Sequence, residues 1–275
     1  KRLEQILADQ IAAGEVVERP FSVVKELVEN ALDAGATRIQ IIVEDGGKSL
    51  VRIVDNGCGM NPDDALLCLK RHATSKVNSA QDLQTIATLG FRGEALPSIR
   101  SVSRFQLRTR THDSIEGVQV SADGAQKPFV EPIGCPAGTD ISVRDLFFNV
   151  PARRKFLRRD STEMQRISEL INQVALGWPG VHFSLHHNAR KVSDYPADSG
   201  LKDRIRAVLG KKVCQHLIPV KMQFGEHQVA GYTGSPAFHR PNNRGMFTFI
   251  NGRFIRDRIL QHAVTHMYVY IYRTH

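Results

Sequence analysis

Between Pro20 and Ala34 the chain sorts its side chains by a helical period, and it then switches at once to the period of a strand. At ~100° per residue, Glu26, Asn30 and Asp33 fall within roughly 60° of one another, with Val24, Leu27, Val28, Ala31 and Leu32 opposite. Pro20 suits a first helical turn, and Gly35 stands where a left-handed stop is expected. Next, Ile39, Ile41 and Val43 alternate, Asp45-Gly46-Gly47 supplies turn chemistry, and Val51 and Ile53 alternate again, which predicts an antiparallel hairpin. The expectation is an α+β fold with a mostly antiparallel sheet.

The same signals continue downstream. Asn61-Pro62-Asp63-Asp64 has the order of an N-cap, a first-turn proline and two dipole-compensating acids, so a helix is expected through Lys70. Phe105/Leu107/Thr109, Val118/Val120, Ile141/Val143 and Phe183/Leu185 predict further strands, and Ile167, Leu170, Ile171 and Val174 another amphipathic helix. Around Asp194-Tyr195-Pro196-Ala197-Asp198-Ser199-Gly200 the composition turns polar and punctuated. Residues 1–195 are therefore read as one domain and 200–275 as a smaller α+β domain. In the latter, Leu201, Ile205, Val208 and Leu209 share a helical face ending at Gly210, Met246 to Ile250 is expected as a strand, Asn251-Gly252 as a turn, and a helix from about Asp257.

With 41% apolar residues in 275, the chain can build a large core. No apolar run approaches the ~20 residues that span a bilayer, and Lys1-Arg2-Leu3-Glu4-Gln5 lacks a signal-peptide core, which disfavours a membrane or secreted role. Cys58, Cys68, Cys135 and Cys214 form no C-x-x-C pair and fit reduced thiols. Charge is unevenly spread: residues 1–150 hold 17 basic and 20 acidic side chains, whereas residues 151–275 hold 20 and 8. The basic clusters are Arg153, Arg154, Lys155, Arg158 and Arg159; Lys202, Arg204, Arg206, Lys211 and Lys212; and Arg240, Arg244, Arg253, Arg256 and Arg258. They are either solvated faces or a polyanion-binding surface, for which nucleic acid is the leading partner.

Three stretches have residue types suited to chemistry. The polar stripe Glu26/Asn30/Asp33 is the first. The second follows a strand: Asp55-Asn56-Gly57-Cys58-Gly59-Met60 puts an acid beside two glycines, so that backbone can approach a planar ligand while the carboxylate accepts from it. The third, Gly90-Phe91-Arg92-Gly93-Glu94-Ala95-Leu96, brackets an arginine with glycines ahead of a helical stretch and resembles an anion-binding concavity. Thr74-Ser75-Lys76 adds hydroxyls and an ammonium. Familiar alternatives fail: Gly47-Lys48-Ser49 has Ile42 where a P-loop needs glycine, Gly57-Cys58-Gly59 leads to Pro62 instead of completing G-x-G-x-x-G, and neither H-E-x-x-H nor G-x-S-x-G occurs.

Glu26-Leu27-Val28-Glu29-Asn30-Ala31-Leu32-Asp33-Ala34, then Asp55 to Gly59, then Gly90 to Leu96, in that order, resemble the Bergerat-fold (GHKL) ATPases, and the last heptad resembles the MutL mismatch-repair branch. The resemblance extends through Gln10 to Pro20, Arg71 to Lys76, Pro151 to Leu157 and Asn251-Gly252-Arg253. It implies a Bergerat-type α/β sandwich over 1–195 and a ribosomal-protein-S5-like domain over 200–275. By resemblance, Glu26 is the general base for the attacking water and Asn30 the Mg²⁺ ligand. Asp55 accepts the adenine amino group, and Gly59 lines the base pocket. Asp33, Ala34, Gly57, Met60 and Leu89 join the nucleotide site. Thr74, Ser75 and Lys76 lie near ribose and phosphate, Gly90, Phe91, Arg92, Gly93, Glu94, Ala95 and Leu96 form a lid over the triphosphate, and Thr139 closes the base pocket. Arg153, Arg154 and Arg253 are the implied DNA contacts.

The resemblance also implies ATP-driven dimerisation with a second copy or a family relative, sequence-nonspecific DNA clamping, docking of a mismatch-recognition protein and a downstream nuclease or helicase, and a cytoplasmic, nucleoid-associated location. The family's lysine in a His-Pro-x-Lys context is not found before His275, so the second domain is expected to be incomplete. Two other readings remain at this point: a DNA-binding scaffold with a vestigial nucleotide site, and the histidine-kinase branch of the same fold.

Overall fold

The structure, a computed structural model, describes residues 14, 16–71, 73, 89, 93–197, 200–235, 238 and 245–274, with side chains to 266 in the last helix. They divide into two compact units. One takes the chain up to Ile171 together with Val181–Ala197; the other takes Asn172–Gly180 together with the chain from Asp198 onward.

The first unit is built on an eight-stranded sheet of order β5-β4-β3-β6-β2-β1-β7-β8. Its strands are β1 (Arg38–Glu44), β2 (Leu50–Asp55), β3 (Arg104–Arg110), β4 (Gly117–Asp123), β5 (Phe129–Ile133), β6 (Gly138–Arg144), β7 (His182–His187) and β8 (Arg190–Tyr195). Every neighbouring pair is antiparallel except β1 with β7. Register brings one apolar side chain from each of six strands into line: Leu185, Ile41, Ile53, Ile141, Leu107 and Val120, all buried. Each such side chain contributes about 1.5–3 kcal/mol on burial, so this face is what the sheet is organised around.

Helix α1 (Pro20–Asp33) supplies its cover, burying Val23, Val24, Leu27, Val28, Ala31 and Leu32. It stops as expected at Gly35, whose φ of 72° is the left-handed stop, with the Gly35 amide donating to Leu32 and that of Ala36 to Ala31. Helix α2 (Pro62–Leu67) starts at Asn61, whose side chain accepts from the Asp64 amide. It is shorter than expected. Leu69 and Lys70 bond three residues back, to Leu66 and Leu67, so the chain tightens into turns instead of reaching Lys70 as a helix. Helix α3 (Ala95–Ser101) and the short α4 (Pro151–Lys155) follow. Helix α5 (Asp160–Gly177) buries Met164, Ile167 and Ile171.

The second unit contains α6 (Leu201–Leu209), α7 (Lys211–Cys214), a hairpin of β9 (Leu217–Phe224) with β10 (His227–Gly234), a hairpin of β11 (Thr248–Ile250) with β12 (Arg253–Ile255), and α8 (Arg258–Thr274). Two of these differ from expectation. The β9–β10 hairpin was not anticipated, and Asn251-Gly252 returns the chain into β12 before the final helix. Asn251 and Gly252 have φ of 50° and 78°, the left-handed pair that a two-residue hairpin loop requires.

Candidate functional site

The apolar face of the large sheet ends in a polar row. Asp55, Thr139 and Thr109 are paired across β2, β6 and β3, two residues beyond Ile53, Ile141 and Leu107 on the same face. Thr109 is fully buried. Its hydroxyl donates to the Gly138 carbonyl (2.9 Å), accepts from the Met60 amide (2.9 Å) and lies 3.2 Å from the Thr139 hydroxyl. With its one proton committed to Gly138, Thr109 accepts from Thr139, which leaves Thr139 with acceptor capacity.

The Asp55 carboxylate accepts from the Gly57 amide at 2.8 Å and from the Thr139 amide. Burial raises its pKa, the two amides pull the other way, and Asp140 adds to the rise; the result is about 6, against an ordinary 3.8. Asp140 is itself paired with Arg52 through two bonds of 2.9 and 2.7 Å. Such a carboxylate is costly to keep ionised and is suited to a ligand that donates to it.

The glycines here are required by close approach. A Cβ at Gly59, whose φ is 68°, would run into the Arg110 carbonyl, and one at Gly57 would stand 2.8 Å from the Ala34 Cβ and 3.0 Å from the Asp55 carboxylate. The loop is tied to the end of α1 by the Cys58 amide donating to Ala34 (2.9 Å). Asn56 pins its other side, accepting from the Thr37 and Arg38 amides at 3.0 and 2.8 Å, and His112 Nε2 lies 3.0 Å from the Gly57 carbonyl.

On α1, Glu26 and Asn30 are partly exposed. Lys25 bridges Glu26 (3.2 Å) and Glu29 (3.3 Å); burial works against its ammonium, but the two carboxylates outweigh burial and raise its pKa. One turn on, Asp33 Oδ1 accepts the Leu89 amide at 2.8 Å. A Cβ on Gly93, whose φ is 62°, would come 2.5 Å from the Ala73 carbonyl. The described parts of the expected site thus connect: α1 to the Asp55–Met60 loop, α1 to Leu89, and Gly93 to Ala73. Glu94 precedes α3, and Ala95 and Leu96 begin it. Thr74, Ser75, Lys76, Gly90, Phe91 and Arg92 lie outside the described residues. The roles of Thr109, Asn56 and His112 were missed by sequence reasoning, although Asn56 lay within the Asp55–Met60 stretch and Thr109 was the one hydroxyl in an otherwise apolar strand phase.

Of the basic residues, Arg154 and Arg253 are exposed. Arg153 is turned inward: its guanidinium fills the space above Gly14 and lies 6.0 Å from the centre of the Phe147 ring. Arg204 is buried and donates to the Pro179 carbonyl at 2.8 Å, so it is a structural member of its cluster. All four cysteines are free. Among the described residues there is no group of three metal-ligating side chains, and no helix is long and apolar enough to cross a membrane.

Two family profiles match: histidine kinase-, DNA gyrase B- and HSP90-like ATPase over residues 18–129, and DNA mismatch repair protein, C-terminal domain, over residues 205–275. The chain is 54% identical over 267 residues to the DNA mismatch repair protein MutL of Syntrophotalea carbinolica, covering 97% of this chain and 42% of the relative. It is 51% identical over 258 residues to MutL of Anaeromyxobacter sp. strain K, covering 94% and 42%. The chain therefore spans about two fifths of the length of these curated relatives. Among solved structures it is similar to the Aquifex aeolicus MutL ATPase domain complexed with ADP, with 32% identity, a TM-score of 0.70, and coverage of 91% of this chain and 88% of that one. The chain belongs to the MutL family of DNA mismatch repair proteins.

Proposed function

We propose that this chain binds ATP between α1, the Asp55–Met60 loop and the stretch from Leu89 to Leu96, and hydrolyses it to ADP and phosphate. The observation that carries the reading is the Asp55 row: a half-buried carboxylate beside two glycines that admit no Cβ, next to a hydroxyl pair at the end of an apolar face. An adenine ring matches it. The flat ring uses the apolar floor and the close backbone approach, and its amino group donates to Asp55.

Asp33, Ala34, Gly57, Gly59, Met60, Leu89 and Thr139 complete the nucleotide contacts in this reading, with Thr74, Ser75, Lys76 and Gly90 to Leu96 around the phosphates. Asn30 fits a Mg²⁺ ligand by chemistry, an uncharged hard oxygen on the helix face that also carries Glu26. Bound Mg²⁺ would offset the charge of the triphosphate. Glu26 takes the proton of the attacking water, and Lys25, held between Glu26 and Glu29, pairs with that carboxylate. Positioning and charge neutralisation suffice for phosphoryl transfer to water, so no covalent intermediate is needed.

In this reading nucleotide occupancy controls pairing with a second copy or a family relative, and the chain binds DNA through exposed cations, Arg154 and Arg253 foremost. Arg153 is a weaker candidate because its guanidinium is occupied by Gly14 and Phe147. The full-length protein's mismatch-recognition and nuclease or helicase partners, and a nucleoid location, follow from family membership as part of the same proposal. Single-turnover hydrolysis tests the chemical core: Glu26→Ala should retain ATP binding and lose hydrolysis, and undiminished turnover would refute the base assignment.

A further inference from the structure

The turn that follows α4 holds a bare aromatic ring among cations. Phe156 is 80% exposed, although phenylalanine is among the residue types most often buried. Its place is fixed by backbone bonds: the Phe156 amide donates to Arg153 (3.0 Å) and the Leu157 amide to Arg154 (3.3 Å). Arg154, Lys155, Arg158 and Arg159 around it are all exposed. Among the described residues none of these four makes an ion pair, because the acids that follow are engaged elsewhere. Asp160 pairs with Lys48 at 2.7 Å. Glu163 is fully buried, pairs with Arg19 at 2.9 Å and accepts the Arg158 amide at 2.9 Å. Four uncompensated positive charges thus flank an exposed ring within one short segment.

We propose that Phe156 and the cations beside it form a stacking site for unpaired bases of single-stranded DNA, an inference that rests on the reading of this chain as DNA-binding. The charge selects a polyanion, and the ring selects what that polyanion exposes. In a duplex both faces of every base are covered by their neighbours, so duplex DNA offers phosphates to the cations and nothing to Phe156. A single strand offers phosphates and open base faces together, the combination that stacking platforms in positive grooves exploit. An acidic protein surface would use the charges and leave the ring idle.

The test compares a fluorescein-labelled mixed-sequence single strand with a duplex of the same length, by anisotropy over a salt series. Phe156→Ala should weaken single-strand binding about tenfold while changing duplex binding less than about twofold and leaving the salt slope unaltered. Phe156→Trp should restore the single-strand affinity. Arg154→Glu/Arg158→Glu should weaken both ligands and flatten both slopes. Unchanged single-strand affinity in Phe156→Ala, or equal losses on both ligands, overturns the stacking site while the charge-reversed variant's loss keeps the DNA reading. If the charge-reversed variant binds both ligands as tightly as the parent chain, DNA binding at this cluster fails, and the stacking site with it.

Discussion

Asp33, at the end of α1, accepts the backbone amide of Leu89 at 2.8 Å, fastening a segment 56 residues downstream to the helix that carries Glu26 and Asn30. Bonds of this kind to a charged acceptor contribute about 1.5–3 kcal/mol. Asp33→Ala should therefore raise the exchange rate of the Leu89 amide by at least about tenfold and weaken ATP binding, with the rest of the sheet still protected in hydrogen exchange. Unchanged protection at Leu89 would show that the bond does not hold the segment.

Asp55 gives opposite predictions for stability and for binding. Its proton is held to about pH 6 in the folded chain, against an ordinary 3.8. The folded state is the tighter proton binder, so the stability this group confers is complete below pH 3.8 and is lost as pH rises through about 6. At pH 7, Asp55→Asn should stabilise the fold by roughly 1–3 kcal/mol in urea unfolding and at the same time remove most of the affinity for ATP. In the parent chain, ATP affinity should fall as pH drops below about 6, where the acceptor becomes protonated. An Asn variant that is less stable at pH 7 would refute the buried-charge assignment.

Gly59 is held at positive φ against the Arg110 carbonyl. Gly59→Ala combines left-handed strain with a backbone collision and should cost more than about 2 kcal/mol, measured as a lowered urea midpoint at unchanged m-value. Gly134, where a Cβ meets nothing within 4 Å, is the control, and its Ala variant should unfold like the parent chain.

The chain's single tryptophan, Trp178, lies over the turn before Arg253: a Cβ on Gly252 would stand 3.2 Å from the indole. If DNA phosphates reach Arg253, tryptophan emission should change on titration with duplex DNA, and Arg253→Glu should abolish the change and weaken binding. A silent tryptophan during saturable binding would place the DNA elsewhere.

What the sequence made legible follows from how local each signal is. Helix α1, its stop at Gly35 and the β1–β2 hairpin rest on side-chain period and turn residues a few positions apart, and each formed where expected. Asp55, Gly57 and Gly59 stood out for the same reason. Thr109 was read as a strand residue only, because what makes it part of the site is its pairing with Thr139, thirty residues on. The Leu89–Asp33 bond has no local signature at all. The β9–β10 hairpin did leave one, since Ile218, Val220, Met222 and Phe224 alternate up to Gly225, with Pro219, a residue that weakens a strand signal, inside the run. A two-stranded hairpin tolerates it. The expected cation Arg153 turned inward because Gly14 offers a space without a side chain, which its own neighbourhood in the sequence does not reveal.

The most direct measurement is a crystal structure of the chain with a nonhydrolysable ATP analogue and magnesium. The adenine amino group should sit within hydrogen-bonding distance of the Asp55 carboxylate, with the triphosphate running toward Asn30 and Leu89 to Leu96. An analogue bound with its base away from Asp55, or with α1 and the Leu89 segment on different sides of it, would contradict the account.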